Sequence, residues 1–242
     1  MFVDIHTHIL AGVDDGPEND DQMYGLIKAL YDDGVSKICC TPHYHPGYYG
    51  GNFDEASKCF FRLKSYIQEK EMDMRIFLGN ELHYSQGCFD WIEEGSCRTI
   101  NGTRYVLVDF DMEEEYRTIE SAVRTFLHDG HIPVLAHAER YPCFGRKSNL
   151  IEKLRGMGAV IQINASSILT KRKHPLVKRL LRYEEIDVIA SDTHNLKTRP
   201  PLMREAYQEV SNICGKEYAD KLFIVTPNNI LESVKQEEWK GE

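Results

Sequence analysis

No stretch of this 242-residue chain approaches the roughly 20 consecutive apolar residues that a bilayer-spanning helix needs. Its first residues lack the basic segment and apolar core of a secretory signal, which places the expected location in the cytoplasm with no membrane insertion. Internal repeats, low-complexity tracts and Gly/Ser-rich linkers are also missing, so a single domain over residues 1–242 is expected. Positive charge is scarce: 29 Lys and Arg face 38 Asp and Glu, for a formal net charge of −9. A broad nucleic-acid surface draws its affinity from Lys and Arg on phosphates, so nucleic acid is not an expected partner. The surplus carboxylates are available to bind cations instead. Seven cysteines, an odd number with no Cys-x-x-Cys pair, suit reduced and mostly buried thiols in a reducing compartment. None of them opens a Cys-x5-Arg sequence, the phosphate-cradling loop of cysteine-dependent phosphatases.

What is present is a regular alternation. Runs rich in Val, Ile, Leu and Phe at 2–5, 37–41, 74–79, 105–109, 133–137, 159–163 and 187–191 read as strands covered on both faces. A last run at 222–225 is ambiguous. Helical faces fall between them. Met23, Leu26, Ile27 and Leu30 recur at helical spacing before Gly34. Ala56, Phe60, Leu63 and Ile67 follow Asp54 as a candidate N-cap. Ile119, Ala122, Val123, Phe126 and Leu127 lie between Thr118 and Gly130, and Leu150, Ile151 and Leu154 lead to Gly158. Leu176, Val177, Leu180 and Leu181 follow Pro175, and Leu202, Ala206, Val210 and Ile213 precede Gly215. Such β-α alternation means a parallel sheet, and about seven units favour an α/β barrel, closed or nearly so. Barrels of this kind place their chemistry at the C-terminal ends of the strands.

Residues able to bind metal cluster at those ends. His6 and His8 follow the first strand, spaced so that both imidazoles point the same way in an extended chain. The next loop brings Asp14 and Asp15. His43 and His45 follow the second strand and Glu81 the third; the fourth ends on Asp109, the fifth on His137, and Asp192 and His194 follow the seventh. Any one of these residues is unremarkable by itself, since an Asp-Asp-Gly is usually a turn. Chance, however, would scatter them, whereas six of ten histidines fall at predicted C-terminal strand ends. One catalytic zinc needs three protein ligands, so this set suits two or three ions with a bridging carboxylate. Mixed imidazole and carboxylate ligands fit manganese, iron or zinc. Such a centre lowers the pKa of a bound water and clamps the oxygens of a phosphoryl or acyl group. Arg140 and Arg199, close in sequence to His137 and His194, favour a phosphate ester, because guanidinium groups match phosphate oxygens with paired hydrogen bonds.

With these motifs in hand, the chain resembles the polymerase and histidinol phosphatase (PHP) superfamily: His-x-His, Thr41-Pro42-His43, Asn80-Glu81-Leu82, Leu135-Ala136-His137-x-Glu139-Arg140 and Ser191-Asp192-Thr193-His194. More narrowly, His6-Thr7-His8-Ile9-Leu10 with Gly12-Val13-Asp14-Asp15-Gly16 resembles the manganese-dependent tyrosine-protein phosphatases of bacterial capsule and exopolysaccharide gene clusters (CpsB-type). So do Ala138-Glu139-Arg140-Tyr141, His194-Asn195 and Arg199-Pro200-Pro201. The resemblance covers almost the whole chain. It implies a distorted (β/α)7 TIM-like barrel, the PHP fold, with a trinuclear site. By motif, His6 and His8 would hold a first divalent metal with Glu81 and Asp192. Glu81 would bridge to a second held by His137 and Asp109, and Asp15, His43 and His194 would hold a third. Asp15 is preferred to Asp14 on its spacing from His8. Arg140 and Arg199 would bind the phosphate. The implied cofactor is manganese, with iron or zinc as alternatives, and the implied substrate is phosphotyrosine on the tail of a tyrosine autokinase; a homo-oligomer is compatible with the resemblance.

Two positions depart from the family pattern. Asp109 stands where Glu is usual, one methylene shorter, with Asp111 and Glu113 nearby; Tyr44 separates His43 from His45, two histidines that are often adjacent. The chemistry expected is direct attack of a metal-bound hydroxide on phosphorus, without a phosphoenzyme. The rival readings are a histidinol-phosphatase-like enzyme acting on small phosphoesters, an amidohydrolase-type deacylase, a polymerase-associated nuclease and a non-enzymatic regulatory domain. A deacylase of that type uses a lysine where this chain has Asp109, a nuclease would need a basic face, and a regulatory domain would have lost ligands.

Overall fold

The apolar runs lie side by side as parallel strands in the computed structural model, which describes residues 1–49, 53–85, 87–146, 149–170 and 175–233. In chain order they are β1 (Phe2–Thr7), β2 (Val35–Cys40), β3 (His43–Tyr44), β4 (Arg75–Leu78), β5 (Glu81–His83), β6 (Tyr105–Asp109), β7 (Ile132–Leu135), β8 (Val160–Asn164) and β9 (Val188–Ala190). Hydrogen bonding links them in two groups, β1-β2-β4 and β3-β5-β6-β7-β8-β9, with every pair parallel. The groups form one curled surface, because β3 continues the path of β2 and β5 continues that of β4. Backbone bonds from Gly79 N to Cys40 O and from Glu81 N to Pro42 O cross the two breaks. At the other edge, Asp192 N donates to His6 O and His8 N to Thr193 O, which brings the end of β9 onto β1. Seven strand positions thus curl into the expected distorted barrel.

The breaks have local causes. Pro42 has no N–H to donate to a ladder. At Gly79 a Cβ would come within 3.2 Å of Cys39 Sγ and 3.3 Å of the Ile100 backbone, so a side chain here would crowd this approach. The strand expected over 133–137 ends at Leu135 instead, because His137 turns into the left-handed region at φ 34°. The ambiguous run at 222–225 is helical and leads into Thr226–Glu232. Four apolar residues are too few to establish a period.

Helices cover the outside as their spacing predicts. Asp20–Asp32 buries Met23, Leu26, Ile27 and Leu30, and the Asn19 side chain caps it by accepting from Gln22 N. Tyr116–His128 buries Ile119, Ala122, Val123 and Phe126, and starts two residues before Thr118. Leu150–Met157 ends at left-handed Gly158, and Pro175–Arg182 buries all four expected apolar residues. Asp54 lies inside the first turn of Phe53–Glu69 and is not its cap. In Met203–Cys214 the buried face is Met203, Ala206 and Val210, while Ile213 is half exposed. Each such Leu or Ile stabilises the fold by about 1.5–3 kcal/mol. A separate inner cluster fills the barrel: Val3, Ile5, Leu107, Val134 and Val188 meet Ile230 and Leu231 of the last helix. Apolar packing therefore fills the interior away from the polar end. Among the described residues no helix is long and apolar enough to cross a membrane.

One glycine ties fold to site. A Cβ on Gly16 would lie 2.3 Å from the His8 carbonyl oxygen, so the loop carrying Asp14 and Asp15 folds directly against β1. Gly16→Ala should cost about 1–3 kcal/mol through overpacking and displace both aspartates. The checks are a lowered thermal midpoint together with weakened divalent-metal binding; an unchanged midpoint and metal content would contradict the contact.

Candidate metal centre

The polar end of the barrel gathers histidines and carboxylates from six of the seven strand positions. At its centre Glu81, at the start of β5, is almost fully buried. Its Oε1 lies 3.3 Å from His6 Nε2 and 2.9 Å from His137 Nε2; its Oε2 lies 3.1 Å from His8 Nε2 and 2.9 Å from His43 Nδ1. Asp192 Oδ1 is 3.4 Å from His6 Nε2 and 3.7 Å from His8 Nε2. Three overlapping groups can each surround an ion: His6, His8 and Glu81; Glu81, Asp109 and His137; and His8, Asp15, His43 and His194. All nine residues expected as ligands are thus brought together, counting Asp192 beside the first group. Asp109 reaches the second group despite its shorter side chain.

The donor chemistry tests whether these groups fit cations. His6 Nδ1 lies 3.1 Å from Gln162 Oε1, which can only accept, so Nδ1 carries the proton. His8 Nδ1 pairs at 2.7 Å with Asp14 Oδ2. In the neutral rings both Nε2 lone pairs then face each other, 3.1 Å apart, and share Glu81 as neighbour. Lone pairs converging in this way are suited to a cation between them, with the far nitrogens fixed by outer partners. Glu81 Oε2, Asp109 Oδ1, Asp192 Oδ1 and His194 Nε2 are buried without a hydrogen bond although charged atoms crowd them. Buried polar atoms rarely go unpaired, so the residues fit divalent metals. Asp14 and Asp15 also separate here. Asp14 orients His8 and accepts from His43 N at 3.1 Å, while Asp15 Oδ1 lies 3.1 Å from His194 Nε2 and 3.4 Å from His43 Nε2.

His45 joins none of the three groups. Its ring stacks on His83 at 4.0 Å, and His83 Nδ1 lies 3.3 Å from Asp109 Oδ2. Arg140 Nη2 donates to Asp192 Oδ2 at 3.2 Å, and Arg199 Nη2 lies 2.6 Å from the same oxygen. Both guanidinium groups therefore sit at the mouth, beside the cluster and partly open to solvent. Two of the candidate ligands, His137 and Asp192, hold left-handed backbones at φ 34° and 54°. Such conformations cost about 1–3 kcal/mol each and persist where the surroundings over-determine them.

Sequence reasoning missed the residues that do this holding. Gln162 Oε1 accepts from His137 N at 2.8 Å as well as from His6, so one amide braces two of the three groups. Asn164 Nδ2 donates to Asp192 Oδ2 at 2.6 Å. Glu139 Oε1 accepts from Asn164 N and Ser167 Oγ. Asp4 Oδ1 accepts from His6 N and Ser191 N across the β1–β9 seam, and burial, opposed by those bonds, raises its pKa to about 6. The strand that carries no candidate ligand, β8, supplies two of these braces. The available signal was the pair Gln162 and Asn164, polar residues one position apart in an apolar strand.

The charges are tightly coupled. Burial opposes protonation of His8, but Asp14 and Glu81 outweigh it and raise the pKa to about 9. Burial likewise opposes charging His43, yet Glu81 and Asp15 raise it to about 11. Burial penalises ionised Glu81 and Asp192, but the imidazoles around them hold both below the ordinary carboxylate range. For His8 and His43, raised above their unfolded value near 6.5, the stability contribution is complete below that value and is lost as pH rises through about 9 and about 11. For the carboxylates the sign reverses, and stability is lost as pH falls below about 4. Chelator-treated protein should therefore melt at lower temperature as pH rises from about 7 to about 9. Metal binding over that range should release protons, measurable by calorimetry in buffers of different ionisation heat. Binding without proton release would contradict ligation by these imidazoles.

Comparison with known proteins gives a consistent picture. A family described as capsular polysaccharide synthesis, CpsB/CapC, matches residues 2–232. The tyrosine-protein phosphatase CpsB of Streptococcus agalactiae is 34% identical over 240 residues, covering 96% of this chain and 99% of its own. CpsB of Streptococcus pneumoniae is 31% identical over 238 residues, with 95% and 98% covered. Among solved structures, the work on YwqE from Bacillus subtilis and CpsB from S. pneumoniae, described as metal-dependent tyrosine phosphatases, includes a chain that matches with TM-score 0.88. That match has 26% identity and covers 96% of this chain and 95% of that one.

Proposed function

Because the chain belongs to the CpsB/CapC family of capsular polysaccharide synthesis, we propose that it is a metal-dependent protein-tyrosine phosphatase serving that synthesis. The observation that carries this reading is the convergence of nine ligand-type side chains on buried Glu81 with two arginines at their edge. In this reading His6, His8, Glu81 and Asp192 hold one ion; Glu81, Asp109 and His137 a second; and Asp15, His43 and His194 a third. When bound, the ions supply an activated water and neutralise charge on the phosphate oxygens. Manganese is the proposed metal, as the resemblance implies; the mixed carboxylate and imidazole donors fit it as they fit iron or zinc.

The chain's own residues do the rest. Arg140 and Arg199, already directed at Asp192, are placed to donate to the non-bridging phosphate oxygens and to strengthen those bonds as negative charge builds. Gln162 and Asp14 keep the outer ring nitrogens of His6 and His8 engaged, so the inner ones stay aimed at the centre. His83 holds one oxygen of Asp109 and leaves the other free. The leaving group is a tyrosyl oxygen, a fairly good one, for which a strong general acid is less necessary. The chemistry asks for no cysteine nucleophile, and none of the seven cysteines belongs to the three candidate metal groups. Cysteines that form no disulfide also agree with a cytoplasmic location. The proposed substrate is a phosphotyrosine protein, in particular the tail of a tyrosine autokinase.

Purified protein should hydrolyse a phosphotyrosine peptide faster than histidinol phosphate and lose that activity on chelation. Arg140→Ala should lower kcat/KM by about 10²–10³, and His137→Ala should lower both activity and bound metal. Preference for histidinol phosphate would move the chain to a small-molecule role, and wild-type activity in either variant would sink the assignment.

A further inference from the structure

The turn that follows β3 is exposed yet held firmly. His45 and Tyr49 exchange backbone bonds of 2.8 Å in both directions, and Tyr48 N donates to His45 O at 2.9 Å. Pro46 restricts the backbone and Gly47 supplies the left-handed residue, at φ 95°. This turn presents two tyrosines. Tyr48 is 79% exposed, the highest value for a large hydrophobic residue among the described residues, and Tyr49 is 39% exposed.

Each ring heads a row that descends into the mouth. Tyr48 lies 4.6 Å from the His45 ring, which stacks on His83 beside Asp109. Tyr49 lies nearly parallel to His43 at 5.4 Å and 22°, and His43 touches Glu81. Of the two arginines proposed to bind phosphate, Arg140 follows β7, far from β3 in the strand order, while Arg199 follows β9 and reaches toward Asp15, at 3.7 Å. A phosphate held by Arg140 beside the metal groups would leave the β3 side, where the turn stands, to the ester substituent. Apart from its contact with the His45 ring, Tyr48 stands in solvent, and keeping a large ring in water forfeits burial. Aromatic rings gain by offset or edge contacts at centroid separations of about 4.5–7 Å.

We propose that the turn 45–49 is the shelf on which the substrate's phenyl ring rests, with Tyr48 as a specificity-determining residue for aryl phosphomonoesters. This rests on the phosphatase reading above and deepens it. Because Tyr48 contacts His45 and no candidate ligand, Tyr48→Ala leaves the metal groups intact and carries the test.

Holoenzyme and variant are compared on a phosphotyrosine peptide and on p-nitrophenyl phosphate, with inorganic phosphate as competitive inhibitor. The expected result is a rise of about three- to tenfold in KM for both aryl esters, with the phosphate inhibition constant and metal content unchanged. Tyr48→Phe should restore KM, since the ring face and not the hydroxyl makes the contact. An unchanged KM for both esters would overturn the shelf. So would a rise for the peptide alone, which would mean that Tyr48 docks the polypeptide and not the ring, or an equal weakening of phosphate. Wild-type protein inactive on phosphotyrosine would overturn the phosphatase reading and the shelf together, whereas an active wild type with an indifferent variant would overturn the shelf alone.

Discussion

The Glu81 carboxylate is the point on which the site is built. Four imidazoles lie within 3.3 Å of its two oxygens, and they arrive on three lengths of chain, His6 and His8 together and His43 and His137 separately. A carboxylate buried this deeply is several kcal/mol unfavourable by itself and is tolerated only when surrounded by compensating charge. Compensation fixes where the ends of β1, β3 and β7 must sit relative to β5. The two interruptions at Pro42 and Gly79 serve the same geometry, because they let β3 and β5 restart with His43 and Glu81 in register. Fold and site are therefore not separable layers: the barrel is distorted where the carboxylate requires it.

The outer architecture was legible in the sequence because helix burial obeys a simple period. Residues such as Met23, Leu26, Ile27 and Leu30 announce their face regardless of what they pack against. The candidate ligands were legible for a different reason, since so many histidine and carboxylate side chains gathered at strand ends stand out together. What stayed hidden depends on contacts between distant positions. Gln162 and Asn164 are neutral amides with no signature of their own, and their role exists only once β7, β8 and β9 are adjacent. Asp14 and Asp15 are neighbours of the same type, and only the direction of each side chain tells the brace from the candidate ligand. The strand breaks were invisible because Pro42 and Gly79 have ordinary uses elsewhere. The helical fate of residues 222–225 was ambiguous because an apolar run that short fits either period.

The site also shows how one departure from a family pattern can be absorbed. Asp109 is shorter than the glutamate expected there, yet it still lies with Glu81 and His137. His83, on the neighbouring strand, takes one of its oxygens and sets the direction of the other. Across the mouth, Asp192 is held by Asn164 and both arginines in a backbone conformation it would not choose alone. Rigid support on both flanks leaves the two arginines partly open to solvent, suited to exchange a carboxylate partner for a phosphate.

The seam between β1 and β9 has a consequence for how the protein is made. Ser191 N bonds to Asp4 Oδ1 across 187 positions of sequence, and His6 and His8 meet Asp192 only through that closure. A nascent chain emerging from the ribosome therefore exposes its first two histidines long before their partners exist. Those imidazoles cannot settle into the centre until translation has passed the last strand and Arg199. Contacts of such long sequence separation form late and slowly, so the centre can be completed only after every strand has been synthesised and the β1–β9 seam has shut.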